Sequence, residues 1–426
     1  MSSSDAGSSP EALAERFAAV RRFTASLAEP LETEDYVVQS MPDASPVKWH
    51  LAHTTWFFET FVLERFVPGY RRHREAYATL FNSYYEAVGP RHPRPERGLL
   101  TRPTVREVYD YRRVVDDAVA AALLRGSGRE KDVVPALLAT VELGLHHEQQ
   151  HQELILTDIL HALSRNPLGP AYARRPPIAT NAASPVPSRG WLPHEGGVFE
   201  VGHAGSGFAF DNEGPRHRVY LDPFSISGAR VSAGEFADFV EDGGYRRPEL
   251  WLSDGFATVR AEAWSAPLYW ERRDGAWWSF SHYGWTPLER DAPVSHVSYY
   301  EADAFARWAG ARLPSEFEWE IVARERPFDG QFVDDAVLVP VVRTRDDEGL
   351  FGATWTWTRS PYTEYPGFAP VAGALGEYNG KFMVNQIVLR GGSCLSPRSH
   401  LRATYRNFFP PAARWQMSGI RLARAR

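Results

Sequence analysis

The chain has 426 residues, 43% of them hydrophobic, and a formal net charge of −6. This length predicts two or three domains with well-filled cores. The mixed charge excludes the broad basic surface that binding to nucleic acid or to an anionic membrane would need. Cys394 is the sole cysteine, which excludes an intrachain disulfide and a cysteine-based zinc or iron–sulfur site.

The first residues, 1–10, are rich in serine and glycine, and we expect a disordered tail there. This tail lacks the apolar core of a signal peptide, and no apolar run in the chain reaches the ~18–20 residues of a membrane span. We therefore expect a cytoplasmic protein with neither a membrane nor a nucleic acid as partner. The sequence gives no signal for an oligomeric state.

Residues 11–164 predict a helical bundle, because apolar residues recur at helical spacing in 11–28, 46–66, 104–125 and 133–163. Bundles place metal ligands on the inward faces of their helices. The connection 68–102 is long and rich in Tyr, Arg and Pro. Loops of that length are usually functional or disordered, and the aromatic residues favour a functional loop.

The segment 165–193 is rich in proline and predicts a semi-extended linker. Residues 194–426 contain short strand-like runs with many Gly and Trp, and helical patterns are clearest at 231–240 and 298–310. This composition predicts an α+β domain with much irregular structure. The predicted fold class of the whole chain is therefore α+β multidomain.

A pair of histidines on the last predicted helix, His147 and His151, has the spacing of a metal chelate. Positions i and i+4 of a helix differ by about 40° in azimuth and about 6 Å along the axis, so both imidazoles can reach one ion. His146 lies about 100° away and should point elsewhere. The same geometry excludes the nearby carboxylates as further ligands: Glu148 and Glu153 are off this face, and Asp158 is about two turns too far.

The third ligand must therefore come from another element, and the candidates are His50 and His53 on the second predicted helix. They are i and i+3 on that helix, so the spacing alone leaves the choice open. Three neutral imidazoles suit Zn, Fe, Ni or Cu. Such a site with open positions supports hydrolysis on zinc or O2 chemistry on iron.

The chain resembles the iron-dependent sulfoxide synthases of ergothioneine biosynthesis. The N-terminal motifs that carry this resemblance are Trp49-His50-Leu51-Ala52-His53, Phe81-Asn82-Ser83-Tyr84-Tyr85-Glu86 and His147-Glu148-Gln149-Gln150-His151. The C-terminal motifs resemble the formylglycine-generating-enzyme fold, a C-type-lectin-like module, and begin at Phe210, Pro293, Arg312 and Leu389. The resemblance covers nearly the whole chain and implies a DinB-like four-helix bundle followed by that module. Either fold alone serves several activities, so it is the combination that points to a function.

Members of this family join a thiol sulfur to the imidazole C2 of hercynine (Nα-trimethylhistidine), using O2, and oxidise the sulfur to a sulfoxide. The resemblance implies that His53, His147 and His151 are the Fe(II) ligands, which selects His53 over His50. It also implies that Gln150 contacts the substrate imidazole. Fe(II) is then the expected cofactor, and the expected small-molecule partners are hercynine, O2 and either cysteine or γ-glutamylcysteine.

Other substrate contacts follow from the same resemblance. Arg94 and Arg97, which precede Leu99-Leu100, match the family's carboxylate clamp for the thiol substrate, and guanidinium forks bind carboxylates bidentately. A trimethylammonium group calls for aromatic faces. The residues that match the hercynine-binding region are Tyr378, Asn407, Phe408 and Phe409.

The sequence departs from the actinobacterial members of the family at two places. Phe408-Phe409 stands where they have Trp-Asp, and the missing aspartate favours cysteine over γ-glutamylcysteine as the thiol. Leu375 stands at their catalytic tyrosine. The pair Tyr84-Tyr85 resembles that of other bacterial subtypes, so we expect Tyr84 or Tyr85 to be the catalytic proton donor.

Alternatives to this function remain. The ovothiol-type 5-histidylcysteine sulfoxide synthases act on histidine and usually carry a C-terminal methyltransferase domain, which we do not expect here. A formylglycine-generating enzyme needs a cysteine pair, and Cys394 stands alone. A non-catalytic metal-binding module and a zinc hydrolase are the alternatives of other classes.

Overall fold

The structure, a computed structural model, describes residues 9–125, 133–177, 190–341, 349–370 and 373–426. Nearly all of the predicted tail, 1–10, lies outside these residues. The chain divides into two compact units. The first comprises Met1–Arg165 together with Gly373–Glu377, and the second comprises Asn166–Ala372 and Tyr378–Arg426.

The first unit is helical, as the apolar spacing predicted. Its longer helices are α1 (Pro10–Ser26), α2 (Val47–Phe58), α5 (Val105–Leu124) and α6 (Val133–Ser164), with the short α3 (Glu64–Phe66) and α4 (Tyr77–Leu80) between α2 and α5. Helices α1 and α2 each pack against α5 and α6. Side chains at the helix starts fix the boundaries: Ser9 caps α1, and Thr104 forms a capping box with Glu107 at α5.

Every residue of α2 is buried, so this helix runs through the middle of the first unit. It continues as a π-helical turn, Glu59–Leu63. At that turn, the buried carboxylate of Glu59 accepts hydrogen bonds from the Tyr111 hydroxyl at 2.5 Å, the Tyr70 hydroxyl at 2.8 Å and the His73 backbone N–H at 2.8 Å. The carboxylate thereby ties the long connection after α3 to both α2 and α5.

A buried ionic triad joins three helices of the same unit. Glu148 on α6 accepts hydrogen bonds from Arg21 of α1 at 2.8 Å and from Arg112 of α5 at 2.9 Å. The side chain of Glu148 is fully buried, and those of both arginines are nearly so. Glu148 is therefore a structural residue that points away from the neighbouring histidines.

The second unit combines short strands and short helices. Its helices are α7 (Ala233–Glu241), α8 (Ser253–Ala261), α9 (Tyr299–Trp308) and α10 (Glu316–Arg324). Helices α7 and α9 occupy the segments predicted as helical. Its strands are β1 (Trp191–His194), β2 (Gly197–Val201), β3 (His217–Leu221), β4 (Phe224–Arg230), β5 (Trp270–Arg273), β6 (Ala276–Ser281), β7 (Gly284–Pro287), β8 (Gly330–Gln331), β9 (Phe351–Gly352), β10 (Trp355–Pro361), β11 (Ile387–Arg390), β12 (Asn407–Phe409), β13 (Ser418–Gly419) and β14 (Arg421–Ala425).

These strands form several small sheets. One sheet has the order β1-β4-β14 and is antiparallel. Another has the order β12-β11-β10-β13, in which only the β10–β13 pair is parallel. The smaller sheets are the antiparallel β2-β3 and β5-β6-β7 and the parallel pair β8-β9. Strand β1 begins at Trp191, inside the segment 165–193 that was predicted as linker.

Two of the C-terminal sequence motifs, those that begin at Arg312 and Leu389, meet in a buried ion cluster. Glu316, at the start of α10, accepts hydrogen bonds from Arg390 at 2.9 Å and from Arg406 at 2.9 Å, and Arg390 also bonds Glu320 at 2.9 Å. Gly392, two residues after Arg390, has φ +82°, and a Cβ there would lie 2.0 Å from a methyl carbon of Leu401. The motifs thus hold α10 against β11 and the segment before β12.

Candidate metal centre

Three buried histidines of the first unit converge on one point. The Nε2 atom of His147 lies 3.2 Å from Nε2 of His53 and 3.1 Å from Nε2 of His151. The three candidate ligand atoms all lie within 4.8 Å of one another, and among the described residues this is the one such group of His, Cys, Asp or Glu side chains. Of His50 and His53, it is therefore His53 that the packing of α2 against α6 brings into this group.

The neighbours of these histidines point elsewhere, as helical geometry predicted. His146 lies 2.8 Å from a guanidinium nitrogen of Arg16 on α1. Glu148 is bonded to the arginines of the buried triad. The i and i+4 positions, His147 and His151, are the members of this run that turn toward His53.

All three imidazoles are neutral near pH 7. Burial, reinforced by the adjacent His147, holds the pKa of His53 well below its ordinary value of 6.5. Burial and the same neighbour lower the pKa of His151 in the same way, and burial lowers the pKa of His147 to about 3. Neutral imidazoles present lone pairs, which is the state that a metal ion requires.

His53 is fixed by the backbone and by aromatic rings. Its Nδ1 lies 2.6 Å from the Phe81 carbonyl oxygen, so Nδ1–H donates there and Nε2 keeps its lone pair for the centre. The His53 ring stacks on Trp49 at 4.6 Å and on Trp56 at 5.5 Å. The guanidinium carbon of Arg97 lies 3.4 Å from the centroid of the Trp49 ring.

The Phe81–Glu86 motif holds the loop that covers these residues. After Phe81, the side chain of Asn82 donates to the carbonyls of Tyr85 and Gly89, both at 3.0 Å, and accepts from the Tyr85 N–H at 3.1 Å. The Ser83 hydroxyl accepts a hydrogen bond from Arg97 at 3.1 Å. Asn82 and Ser83 thus hold this loop in place.

The predicted catalytic tyrosines lie in this loop. Tyr84 is half-buried and Tyr85 is fully buried, and their rings stack at 4.7 Å. Tyr85 also packs against Trp56 at 5.7 Å, and Trp56 stacks on His53. The tyrosine pair is therefore joined to the histidine cluster through one indole ring.

The two arginines of the predicted carboxylate clamp differ in their surroundings. Arg97 is buried, and its guanidinium donates to the hydroxyl oxygens of Ser45 at 2.9 Å and Ser83 at 3.1 Å. Burial, together with the nearby charge of Arg94, lowers the pKa of Arg97 to about 8. Arg94 is exposed and donates to the Asp43 carbonyl oxygen. Arg97 is thus the buried arginine of the pair, and the charge of Asp158 offsets only part of the lowering of its pKa.

The predicted hercynine contacts are distributed over both units. Gln150 is half-buried on α6, one residue before His151. Tyr378 belongs to the second unit, where it is buried and stacks on Phe210 at 5.4 Å with an interplanar angle of 9°. Both contacts remain predictions.

Asn407, Phe408 and Phe409 form strand β12 of the second unit. Phe408 stacks on Tyr362 at 4.0 Å, whereas Phe409 meets Trp415 edge to face at 5.6 Å. Successive side chains of a strand point to opposite faces. Asn407 and Phe409 therefore share one face, and Phe408 lies on the other.

Three polar residues near the centre were not predicted in the positions they take. His50 contacts the Nδ1 side of His151 at 2.8 Å, and Asp158 lies 3.1 Å from His50. Asp158, which was expected to lie too far along α6 to share an ion with His147 and His151, bonds His50 on α2 instead. Glu377 accepts hydrogen bonds from the backbone N–H groups of Glu86 at 3.0 Å and Ala87 at 2.9 Å, and nothing in the sequence pointed to that contact.

Known proteins match both units. Residues 16–155 match the DinB superfamily, and residues 178–343 and 346–426 match the sulfatase-modifying factor enzyme 1-like domain. These matches confirm the predicted succession of a DinB-like bundle and a formylglycine-generating-enzyme-like domain. None of the helices in the described part of the chain is both long and apolar enough to cross a membrane.

Individual relatives extend over nearly the whole chain. The hercynine oxygenase of Mycolicibacterium thermoresistibile is 32% identical over 413 residues, covering 90% of this chain and 88% of that protein. The hercynine oxygenase of Mycobacterium tuberculosis is 31% identical, covering 97% and 99%. The formylglycine-generating enzyme of Streptomyces coelicolor is 37% identical but covers only 34% of this chain and 49% of that enzyme.

Proposed function

The chain belongs to the hercynine oxygenase family and is an oxidoreductase, and on this premise we propose that it is an iron(II)-dependent sulfoxide synthase. In the proposed reaction, O2 is used to join a thiol sulfur to the imidazole C2 of hercynine and to oxidise that sulfur, as a step of ergothioneine biosynthesis. The observation that carries the proposal is the group of three neutral, buried imidazoles with ligand atoms within 4.8 Å of one another.

The donor set fits the proposed metal ion. Neutral imidazole nitrogens suit iron, zinc, nickel or copper, and the Phe81 carbonyl fixes the tautomer of His53 that ligation requires. Bound iron(II) would supply the redox chemistry that O2 activation needs, which zinc lacks. His53, His147 and His151 would hold the ion, and the family selects iron among the metals that the donors accept.

Arg97 is proposed to anchor the carboxylate of the thiol substrate, cysteine or γ-glutamylcysteine. Within the described residues its guanidinium bonds only neutral hydroxyl oxygens, although burial has removed its hydration. Asp158 acts on this cation without a hydrogen bond to it, and a substrate carboxylate would compensate the buried charge through direct charge-assisted hydrogen bonds. Arg94, exposed three residues earlier, is the proposed outer member of the clamp.

Tyr84 or Tyr85 is proposed to deliver the proton that directs the reaction to the sulfoxide. Phenol hydroxyls donate readily, and these rings are coupled to the histidine cluster through Trp56. We expect Tyr84→Phe or Tyr85→Phe to shift the product from the sulfoxide toward the dioxygenated thiol. Product ratios measured by mass spectrometry test this role, and unchanged ratios in both variants would refute it.

Gln150 is proposed to contact the imidazole of hercynine. In the second unit, Tyr378, Asn407, Phe408 and Phe409 match the part of the family that holds the rest of that substrate. Aromatic faces attract a quaternary ammonium through their negative quadrupole. Replacement of Phe409 by Leu should raise the KM for hercynine without changing the KM for the thiol. Steady-state kinetics with each substrate varied in turn make that comparison.

The proposed function is tested by metal and O2 measurements on the full-length protein. Protein loaded with Fe(II) under anaerobic conditions should consume O2 only when hercynine and a thiol are present together. His53→Ala should abolish both iron binding and O2 uptake. His146→Ala is the matched control, because His146 is equally buried on α6 but faces Arg16, and it should retain both.

Other outcomes of the same experiment would identify other functions. Retention of zinc without O2 uptake would replace the proposal with a hydrolase. Uptake with histidine in place of hercynine would identify an ovothiol-type synthase. Failure to bind any divalent metal would leave a non-catalytic module.

A further inference from the structure

A line of buried polar groups extends from His151 on the side away from the histidine cluster. The Nδ1 atom of His151 lies 2.8 Å from Nδ1 of His50, and Nε2 of His50 lies 3.1 Å from Oδ2 of Asp158. The same carboxylate oxygen accepts the backbone N–H of Ser45 at 2.8 Å. The side chains of His50 and Asp158 are 2% and 4% exposed, so solvent does not compete for these bonds.

One assignment of protons satisfies all of these contacts. A neutral imidazole carries a hydrogen on one nitrogen and a lone pair on the other. Because Nε2 of His151 faces the cluster, its lone pair belongs there and its hydrogen is on Nδ1. His50 then accepts at Nδ1 and donates from Nε2 to Asp158, whose carboxylate is an acceptor only.

We propose that His50 and Asp158 are positioning residues that prepare His151 as a metal ligand. The hydrogen bond from His151 Nδ1–H fixes both the ring orientation and the tautomer, and a carboxylate at the end of the line increases the basicity of the ligating nitrogen. His53 obtains the same orientation from the Phe81 carbonyl. His53 is therefore held by the backbone, and His151 is held by the side chains of His50 and Asp158, which together form a relay.

The relay also explains why α2 carries two histidines at i and i+3. His53 reaches the cluster, whereas His50 lies one turn earlier and meets the opposite edge of His151. An alternative is that the relay only joins α2 to α6. That role would affect the stability of the fold but would leave the affinity for a metal ion unchanged, so the two roles can be separated experimentally.

The test uses the full-length, metal-free protein with Co(II) as the probe, titrated against a competing chelator and followed by its visible absorption. We expect His50→Leu, which removes both hydrogen bonds, to weaken Co(II) binding by about 10–100-fold, the usual effect of losing such a partner. His50→Gln keeps an acceptor and a donor, so its affinity should stay close to that of the unchanged protein. If His50→Leu does not fold, Asp158→Asn, which removes only the charge, should still weaken binding.

Gln152→Leu is the matched control. Gln152 follows His151 on α6 and is equally buried, but it bonds the Val20 carbonyl at 3.1 Å and the Thr24 hydroxyl at 2.9 Å. This variant should lower the thermal stability without changing the Co(II) affinity. Unchanged affinity in His50→Leu, or an equal loss in Gln152→Leu, would overturn the relay.

The inference rests on the metal site of the proposed function but not on the identity of the metal or the reaction. If the unchanged protein does not bind Co(II), the metal site itself is overturned, and the relay with it. If the unchanged protein binds Co(II) but consumes no O2 with Fe(II), the proposed reaction fails while the relay stands. The two failures are therefore distinguishable.

Discussion

Replacement of Glu148 by Gln should destabilise the first unit more than any other conservative change on α6. The side chain of Glu148 is fully buried between Arg21 and Arg112, at 2.8 and 2.9 Å. Gln has nearly the same volume and imitates the protonated carboxyl group. The substitution therefore removes the negative charge and leaves two buried guanidinium groups with less compensation.

The expected loss of free energy of unfolding follows from the pKa of the Glu148 carboxyl group. Burial alone would raise the pKa of Glu148, but the charges of Arg21 and Arg112 outweigh it and lower the pKa from 4.5 to about 2. The folded-state pKa thus lies about 2.5 units below the ordinary value. At about 1.36 kcal/mol for each unit, the ionised form stabilises the fold by about 3 kcal/mol. Because the pKa is lowered by folding, this contribution is complete above pH 4.5 and is lost as the pH falls toward 2.

Hydrogen exchange of the metal-free, full-length protein in increasing urea measures this effect in peptides from α1, α5 and α6. A local measurement is needed because a chain of two units does not unfold in one step. Glu142→Gln is the control on the same helix. Its ion pair with Arg16, at 2.9 Å, is about one third exposed on each side and should contribute less than about 1 kcal/mol.

The proposed contribution of the Glu148 charge is refuted if Glu148→Gln at pH 7 lowers the free energy of unfolding by no more than Glu142→Gln does. It is also refuted if Glu148→Gln keeps the full acid dependence of the unchanged protein between pH 4.5 and 2. The expected result is that the two proteins converge in stability as the pH approaches 2, because Glu148 of the unchanged protein then becomes protonated and resembles the glutamine of the variant.

The remaining predictions concern the loop and its stacked rings. Arg97→Lys should raise the KM for the thiol about tenfold while changing kcat less, because a lysine cannot form the bidentate contact. Arg91 is exposed in the same loop, so Arg91→Lys should leave that KM unchanged in the same steady-state assay. Trp49→Leu should both weaken metal binding and raise the KM for the thiol, since the Trp49 ring stacks on His53 and on Arg97. A metal titration and steady-state kinetics in which only one of these two quantities changes would contradict this. Glu377→Gln should speed hydrogen exchange in the loop after Tyr85, measured by mass spectrometry, because the two amides there lose a charged acceptor.

The sequence predicted the parts of the histidine cluster that depend on one helix. The i and i+4 spacing of His147 and His151 is local, so helical geometry alone identified the pair and turned His146 away. The choice between His50 and His53 depends on how α2 rotates against α6, which spacing within α2 cannot determine. The contact of Asp158 with His50 was missed for the same reason, since His50 lies on a different helix.

The fold class of the second unit was predictable from the sequence, but the bounds and the pairing of its strands were not. Strands as short as Gly330–Gln331 and Ser418–Gly419 are too brief for an alternation of polar and apolar residues to be visible. Their position is determined by partners far away in the chain. Helices α8 and α10 were also not predicted. Helix α10 depends on a serine cap and on the buried arginines that bond Glu316.

The segment Gly373–Glu377 has a consequence for the order in which the protein is made. It packs with the first unit, and Glu377 binds an amide 290 residues earlier in the chain. At usual rates of translation, a ribosome needs roughly 15–60 s to add that many residues. The helices of the first unit can therefore assemble early in synthesis, whereas the loop with Tyr84 and Tyr85 receives its last anchor only after most of the second unit has been made. A nascent chain released before residue 373 would carry the histidines without that anchor.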